Sequence, residues 1–233
     1  MGIYSDIKED FLNAYKNDPA LTSKLDFLFN YPGVWAIAWH RIAHRLHKAN
    51  FKRLARIIMG LTQIFTHIDI HPAAQIGRRV FIDHGTGVVI GETCIIEEDV
   101  LIYQGVTLGG VSLAHGKRHP TVRKGAVIGA GAKVLGNIEI GEYAKIGANS
   151  VVVKTVPNSS TAIGIPAHVI KKGRCKDPLM HNMLPDINKE MFEYLLKRVA
   201  ILEHILVKDN KNVLEEDLEL EDIYESFIKA MKN

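Results

Sequence analysis

Cysteine is almost absent: Cys94 and Cys175 are the only two in 233 residues, 81 positions apart (94 to 175). Neither lies in a CxxC or His-rich spacing, so the chain carries neither a disulfide framework nor a zinc knuckle, and a reducing cytoplasm is the expected compartment. Long apolar runs are missing as well. Residues 57–68 (IIMGLTQIFTHI) contain no Lys, Arg, Asp or Glu, but they fall short of the ~20 residues a membrane span requires. The opening stretch, MGIYSDIKEDFLNAYKND, is charged every few residues and has no apolar segment of the kind a secretory signal needs. An excess of one charge is also lacking. With 29 basic and 26 acidic residues the formal charge is +3, too balanced for a nucleic-acid partner, although a local basic patch for a phosphorylated small ligand is compatible with it.

What is present is enough apolar material, 47% of residues, to bury a sizeable core. Periodicity divides the chain into 1–68, 69–170 and 171–233. The first region reads as helices. Asp18 before Pro19 is a helix-start pair, YPGVWAIAWHRIAHRLHKA from Tyr31 has apolar residues at helical spacing, and FKRLARIIMGLTQIF adds a helix leading onward. The third region reads as helical from about Asp186 to Val207, with a shorter helix over EEDLELEDIYESFIKAMK.

The middle region repeats every six residues. Val122, Ile128, Val134, Ile140, Ile146 and Val152 are consecutive matches. Ile70, Ile76 and Ile82 keep the same step upstream, and after two extra residues Ile90, Ile96, Ile102 and Leu108 resume it. Gly77, Gly91, Gly129, Gly141 and Gly147 directly follow the aliphatic residue, where the chain is expected to turn sharply and a Cβ would not fit. A hexad of this kind predicts a parallel β-helix, each six-residue flank supplying one inward aliphatic and three flanks closing one of four to five coils. The hand does not follow from the pattern. Between Gly109 and Thr121 the step fails, so GGVSLAHGKRHPT must leave the prism as an external loop, 109–121, carrying His115, Lys117, Arg118 and His119.

DIHPAAQIGRRVFIDHGTGVVIGET, VTLGG and GKRHP followed by IGAGAKVLGNI together resemble the serine O-acetyltransferases, over about residues 18–170. The resemblance implies an N-terminal α-helical domain, a left-handed parallel β-helix as catalytic domain, and homotrimers or dimers of trimers with active sites between neighbouring subunits. It implies acetyl transfer from acetyl-CoA to the L-serine hydroxyl, giving O-acetyl-L-serine for cysteine synthesis, with no metal. The C-terminal helical tail is an extension to that plan.

The residues themselves suit such chemistry. Alcohol attack on a thioester needs a base, and histidine serves near neutral pH. His84 is the candidate, beside the two-residue irregularity, with Gly85 and Gly87 leaving space for a ligand. Asp69 lies 15 positions earlier, close to one coil, where a carboxylate would orient the imidazole; the family assigns these two that dyad role. Cys94 occupies the small-residue position of its hexad and reads as a buried structural thiol rather than a nucleophile.

By resemblance, Asp18 and Asp83 bind the serine ammonium side, and Arg118 with His119 binds its carboxylate. Asp18 also reads as a helix N-cap, Asp83 as a turn residue and Arg118 as a solvated charge. Gly110, Ala130 and Ala148 match positions whose backbone meets the pantetheine arm of CoA, and Lys145 a phosphate contact. Val111, Ser112 and Leu113 depart from the family's loop, losing a hydroxyl and a lysine. His40 and His44, spaced i, i+4 without the Glu of HExxH, read as packed helix residues, and the His115–His119 spacing fits no zinc pattern of β-helix carbonic anhydrases. Family members that bind O-acetylserine sulfhydrylase do so through a terminal isoleucine, whereas this chain ends Met231, Lys232, Asn233. Competing readings are a related O-acetyltransferase for a sugar or antibiotic hydroxyl, which needs no acidic-plus-Arg pair, and a non-catalytic trimeric β-helix scaffold, which needs no base.

Overall fold

The computed structural model describes residues 2–17, 30–170, 192 and 194–202. Asp18, Cys175 and the final helix expected over EEDLELEDIYESFIKAMK lie outside the described residues. Two compact units are present, 1–182 and 183–233. In the second, residues 194–202 are helical, inside the stretch where the sequence predicts a helix.

In the first unit, α1 (Ile3–Asn17), α2 (Pro32–Lys48) and α3 (Lys52–Thr66) precede the strands. Helix α2 starts with Pro at its first turn and ends on Arg45, His47 and Lys48, which favour the negative end of the helix dipole. Its buried face is built of small residues, Gly33, Ala36, Ala38 and Ala43, among Val34 and Ile37. A Cβ on Gly33 would stand 2.1 Å from the Ile82 carbonyl oxygen, so only glycine lets the helix lie this close to the coil. Helix α3 closes with His67 in the left-handed region (φ 57°). Helix α1 docks through polar groups: Asp10 pairs with Arg41 at 3.1 Å and accepts from the Arg79 N–H at 3.1 Å, and Asn13 donates to the Arg79 carbonyl at 2.8 Å.

The helices and the first coil share one core. Ala36, Ile37, Ala43, Ala55 and Met59 join the same cluster as the inward aliphatics. His40 is buried, stacked on His44 (centroids 5.5 Å apart) and beside the backbone of His71 and Ala74. Burial holds its pKa down at about 3. Between that value and the ordinary 6.5 the unfolded chain binds a proton that the folded one does not, so stability rises with pH there. This contribution is complete above pH 6.5 and is lost as the pH falls toward 3. His40→Leu is therefore expected to flatten the acid side of the stability profile, by at most about 1.4 kcal/mol per pH unit for one proton; urea midpoints at pH 7 and pH 5 check this, and an unchanged difference would contradict it.

Among the described residues, fifteen short strands follow. One sheet stacks β1 (Asp69–Ile70), β4 (Val89–Ile90), β7 (Thr107–Gly109), β10 (Lys133–Leu135) and β13 (Val151–Val152). A second stacks β2 (Gln75–Ile76), β5 (Ile95–Ile96), β8 (Thr121–Val122) and β11 (Glu139–Ile140). The third stacks β3 (Phe81–Ile82), β6 (Leu101–Ile102), β9 (Val127–Ile128), β12 (Lys145–Ile146), β14 (Thr161–Gly164) and β15 (Ala167–Ile170), parallel except for the last pair. This is a left-handed parallel β-helix. The register places aliphatic on aliphatic: Ile70, Ile90, Leu108, Val134 and Val152 form one column, and Ile82, Ile102, Ile128 and Ile146 another. A coil is 18 residues where the repeat is regular (Val122 to Ile140), 20 across the two-residue irregularity (Ile70 to Ile90) and 26 across the external loop (Ile96 to Val122).

The glycines after the aliphatic residues serve close approach rather than the turn. A Cβ would meet backbone at 2.6 Å on Gly77, 2.7 Å on Gly129 and 2.5 Å on Gly141, while none of these has positive φ. The left-handed residue sits three positions after the aliphatic at two of the three corners, as in Asp99, Gly105, Gly131 and Asn149. Sequence reading placed the sharp turn two residues too early, because in the sequence glycine looks the same whether it frees φ or merely omits a Cβ.

Candidate active site

The two extra residues of the first coil lengthen its corner into the turn 83–88. Asp83 donates its N–H to the Ile102 carbonyl (2.8 Å), Gly85 to that of Asp83 (2.7 Å), Thr86 to that of His84 (3.0 Å) and Val88 to that of Gly85 (3.0 Å). His84 projects from this turn, exposed, with φ +58°, followed by Gly85 (+74°) and Gly87 (+75°). As at Asp99 and Asn149 on other corners, a non-glycine residue is held left-handed here by its turn. The turn lies against the segment entering β1: Gly87 donates to the His67 carbonyl and Asp69 to the Val88 carbonyl, each at 2.9 Å. Asp69 is half-buried there; among the described residues no hydrogen bond joins its carboxylate to His84. His71, two residues on, is depressed by burial first and Arg56 second, with Glu92 and Asp69 opposing.

Ala130 and Ala148 share a corner with His84. Successive coils are laced along it by Gly105 N–H to Thr86 O, Gly131 N–H to Gln104 O and Asn149 N–H to Ala130 O, all 2.8 Å. A Cβ on Gly129 would meet the Ala148 nitrogen at 2.7 Å, so the coils touch there through backbone. Lys145, on β12, precedes the same corner.

The neighbouring corner, after β4, holds the other set. Arg118 pairs with Glu92 at 2.5 Å, and this hydrogen bond holds the Glu92 carboxyl below its ordinary range. His119 is buried, and its ring rests on Gly91, where a Cβ would lie 2.0 Å from it. A Cβ on exposed Gly110 would stand 3.2 Å from His119 Nε2. Thr93 bonds to the ring and backbone of His119. Val111 and Leu113 point into solvent, and His115 is exposed. Cys94 is buried, its thiol pushed up to about 12 by burial, the environment of an inert core thiol.

One chain thus gathers His84, Ala130 and Ala148 on one corner and Gly110, Arg118 and His119 on the next, a flank of up to about 20 Å away at ~3.3 Å per residue. Glu92, Thr93 and His71 were missed from the sequence. The signal was their place beside Gly91 and inside DIHPA, which only the neighbouring coil makes meaningful. An apolar cleft of about 550 Å³ between α2 and α3, lined by Trp35, Trp39, Ile58, Leu61 and Phe65, holds none of these residues.

A β-helix of hexads with an exposed histidine on one corner and an external cationic loop on the next fits a hexapeptide-repeat acyltransferase; the bacterial transferase hexapeptide (six repeats) family matches residues 119–154. The chain belongs to the serine acetyltransferase family. It is 44% identical to serine acetyltransferase of Synechococcus elongatus over 94% of this chain and 90% of that one. Among solved structures, a serine acetyltransferase in complex with cysteine is 48% identical with a TM-score of 0.70, over 72% of this chain and 70% of that one. Serine acetyltransferase of Brucella abortus in complex with coenzyme A is 43% identical with a TM-score of 0.70, over 74% and 69%. No helix among the described residues is long and apolar enough to cross a membrane.

Proposed function

We infer that the chain is a serine O-acetyltransferase that makes O-acetyl-L-serine for cysteine synthesis by direct transfer, with His84 as general base. The serine Oγ attacks the thioester carbonyl of acetyl-CoA while His84 takes its proton. The tetrahedral adduct then collapses, the C–S bond breaks, and the CoA thiolate recovers the proton from the imidazolium. Asp69 orients the imidazole. The observation that supports this reading is the turn 83–88, which holds an exposed histidine on the same corner as Ala130 and Ala148. Those backbones and Gly110 take the pantetheine arm, and Lys145 a phosphate.

Asp18 and Asp83 receive the serine ammonium, and Arg118 and His119 its carboxylate. Because one chain separates these groups on two corners, a complete site takes His84 from one subunit and the loop from the next, which supports a homotrimer. A dimer of trimers, a cytoplasmic location and feedback inhibition by cysteine in the serine site are part of the same reading.

The test is thiol release from acetyl-CoA with and without L-serine; folded protein that releases none with serine but does so with a sugar hydroxyl would overturn it. Asp69→Asn is expected to lower kcat by a smaller factor than loss of His84, with both KM values little changed. A larger loss than for His84 would remove Asp69 from the orienting role.

A further inference from the structure

Thr93 is the point to which the external loop is fastened. Its Oγ accepts the backbone N–H groups of Arg118 (3.0 Å) and His119 (3.1 Å), and lies 2.9 Å from His119 Nδ1. Its own N–H donates to the same Nδ1 at 3.3 Å, and its carbonyl accepts from Lys117 Nζ at 2.7 Å. With two N–H groups already donated to the hydroxyl oxygen, the hydroxyl proton remains to be given. Nδ1 receives it, together with the Thr93 N–H. A proton on Nδ1 would instead face an N–H donor that cannot turn away, so the imidazole is neutral with its proton on Nε2. Burial, which lowers the proton affinity of His119, acts in the same direction. Nε2 lies at the edge facing Gly91 and Gly110 and makes no hydrogen bond among the described residues.

We propose that Thr93 is a positioning residue that clamps loop residues 117–119 and fixes His119 as the Nε2–H tautomer, a neutral donor aimed at the substrate carboxylate. The carboxylate role of His119 rests on the function proposed above; the tautomer does not. It follows from the hydrogen-bond pattern alone.

The full-length protein serves for the test, with Thr93→Val removing the hydroxyl at nearly constant shape and Thr93→Ser keeping it. Kinetically, Thr93→Val is expected to raise KM for serine about tenfold, the scale of one or two lost hydrogen bonds, with KM for acetyl-CoA within twofold and Thr93→Ser close to wild type. A parallel rise in both KM values, an unchanged serine KM, or no rescue by serine at position 93 would overturn the positioning role. Two-bond ¹H–¹⁵N correlation spectra, assigned with His119→Ala, report the tautomer directly. Wild-type His119 protonated on Nδ1 would overturn the inference whatever the kinetics. An Nε2–H imidazole with serine KM unchanged in His119→Ala would instead overturn the carboxylate reading of the loop and the presentation role of Thr93 that depends on it, leaving the tautomer standing.

Discussion

His84→Ala is expected to lower kcat by about 10²–10⁴-fold, the usual worth of a positioned general base, while CoA binding is retained. The two effects separate because of where the residue stands. His84 is exposed on a turn held by backbone-to-backbone bonds, so removing the imidazole leaves the N–H groups of Asp83, Gly85, Thr86 and Val88 satisfied. Nothing in the core depends on it. The positions proposed for CoA, Ala130 and Ala148, belong to other coils and are held by the ladder through Gly131 and Asn149. Steady-state thiol release and equilibrium titration with CoA measure the two quantities independently. Turnover within a few-fold of wild type would remove His84 from the mechanism, and loss of CoA affinity equal to the loss of rate would mean the corner had collapsed.

The second large effect is on stability. Ile128→Ala is expected to cost about 2–5 kcal/mol, because Ile128 is fully buried between Ile102 and Ile146 in one column and the coils above and below cannot close over the gap. Each strand of this column is only two residues long, so the backbone has little freedom to shift without breaking ladder bonds on both sides. Val153→Ala, at a side chain 47% exposed, is the contrast, with an expected change within about 0.5 kcal/mol. Urea unfolding at fixed protein concentration, so that any assembly contributes equally, compares them. Equal midpoints would mean that the aliphatic column does not carry the fold.

Much of this architecture was legible before any coordinates. An inward residue every six positions has one structural solution, and every aliphatic so identified, from Ile70 to Val152, lies inside its strand. The external loop was legible as a failure of the step, and the His84 turn as two residues too many. Its partners were not. Glu92 and Thr93 touch Arg118 and His119 across a sequence separation of 26, set by the length of the loop and unrelated to the hexad. Nor did the sequence indicate that α1 would be tied to the first coil through Asp10, Asn13 and Arg79.

By itself, then, the sequence determined which residues face the interior, the number of coils to within one, and where the repeat yields to a turn and a loop, since burial of aliphatics at a fixed period is a local property. Only the tertiary structure decided which corner each polar residue occupies. That depends on how coils of 18, 20 and 26 residues are laid in register. Register placed His84 with Ala130 and Ala148, set His119 on Gly91, and brought Thr93 to the one nitrogen that fixes the histidine's proton.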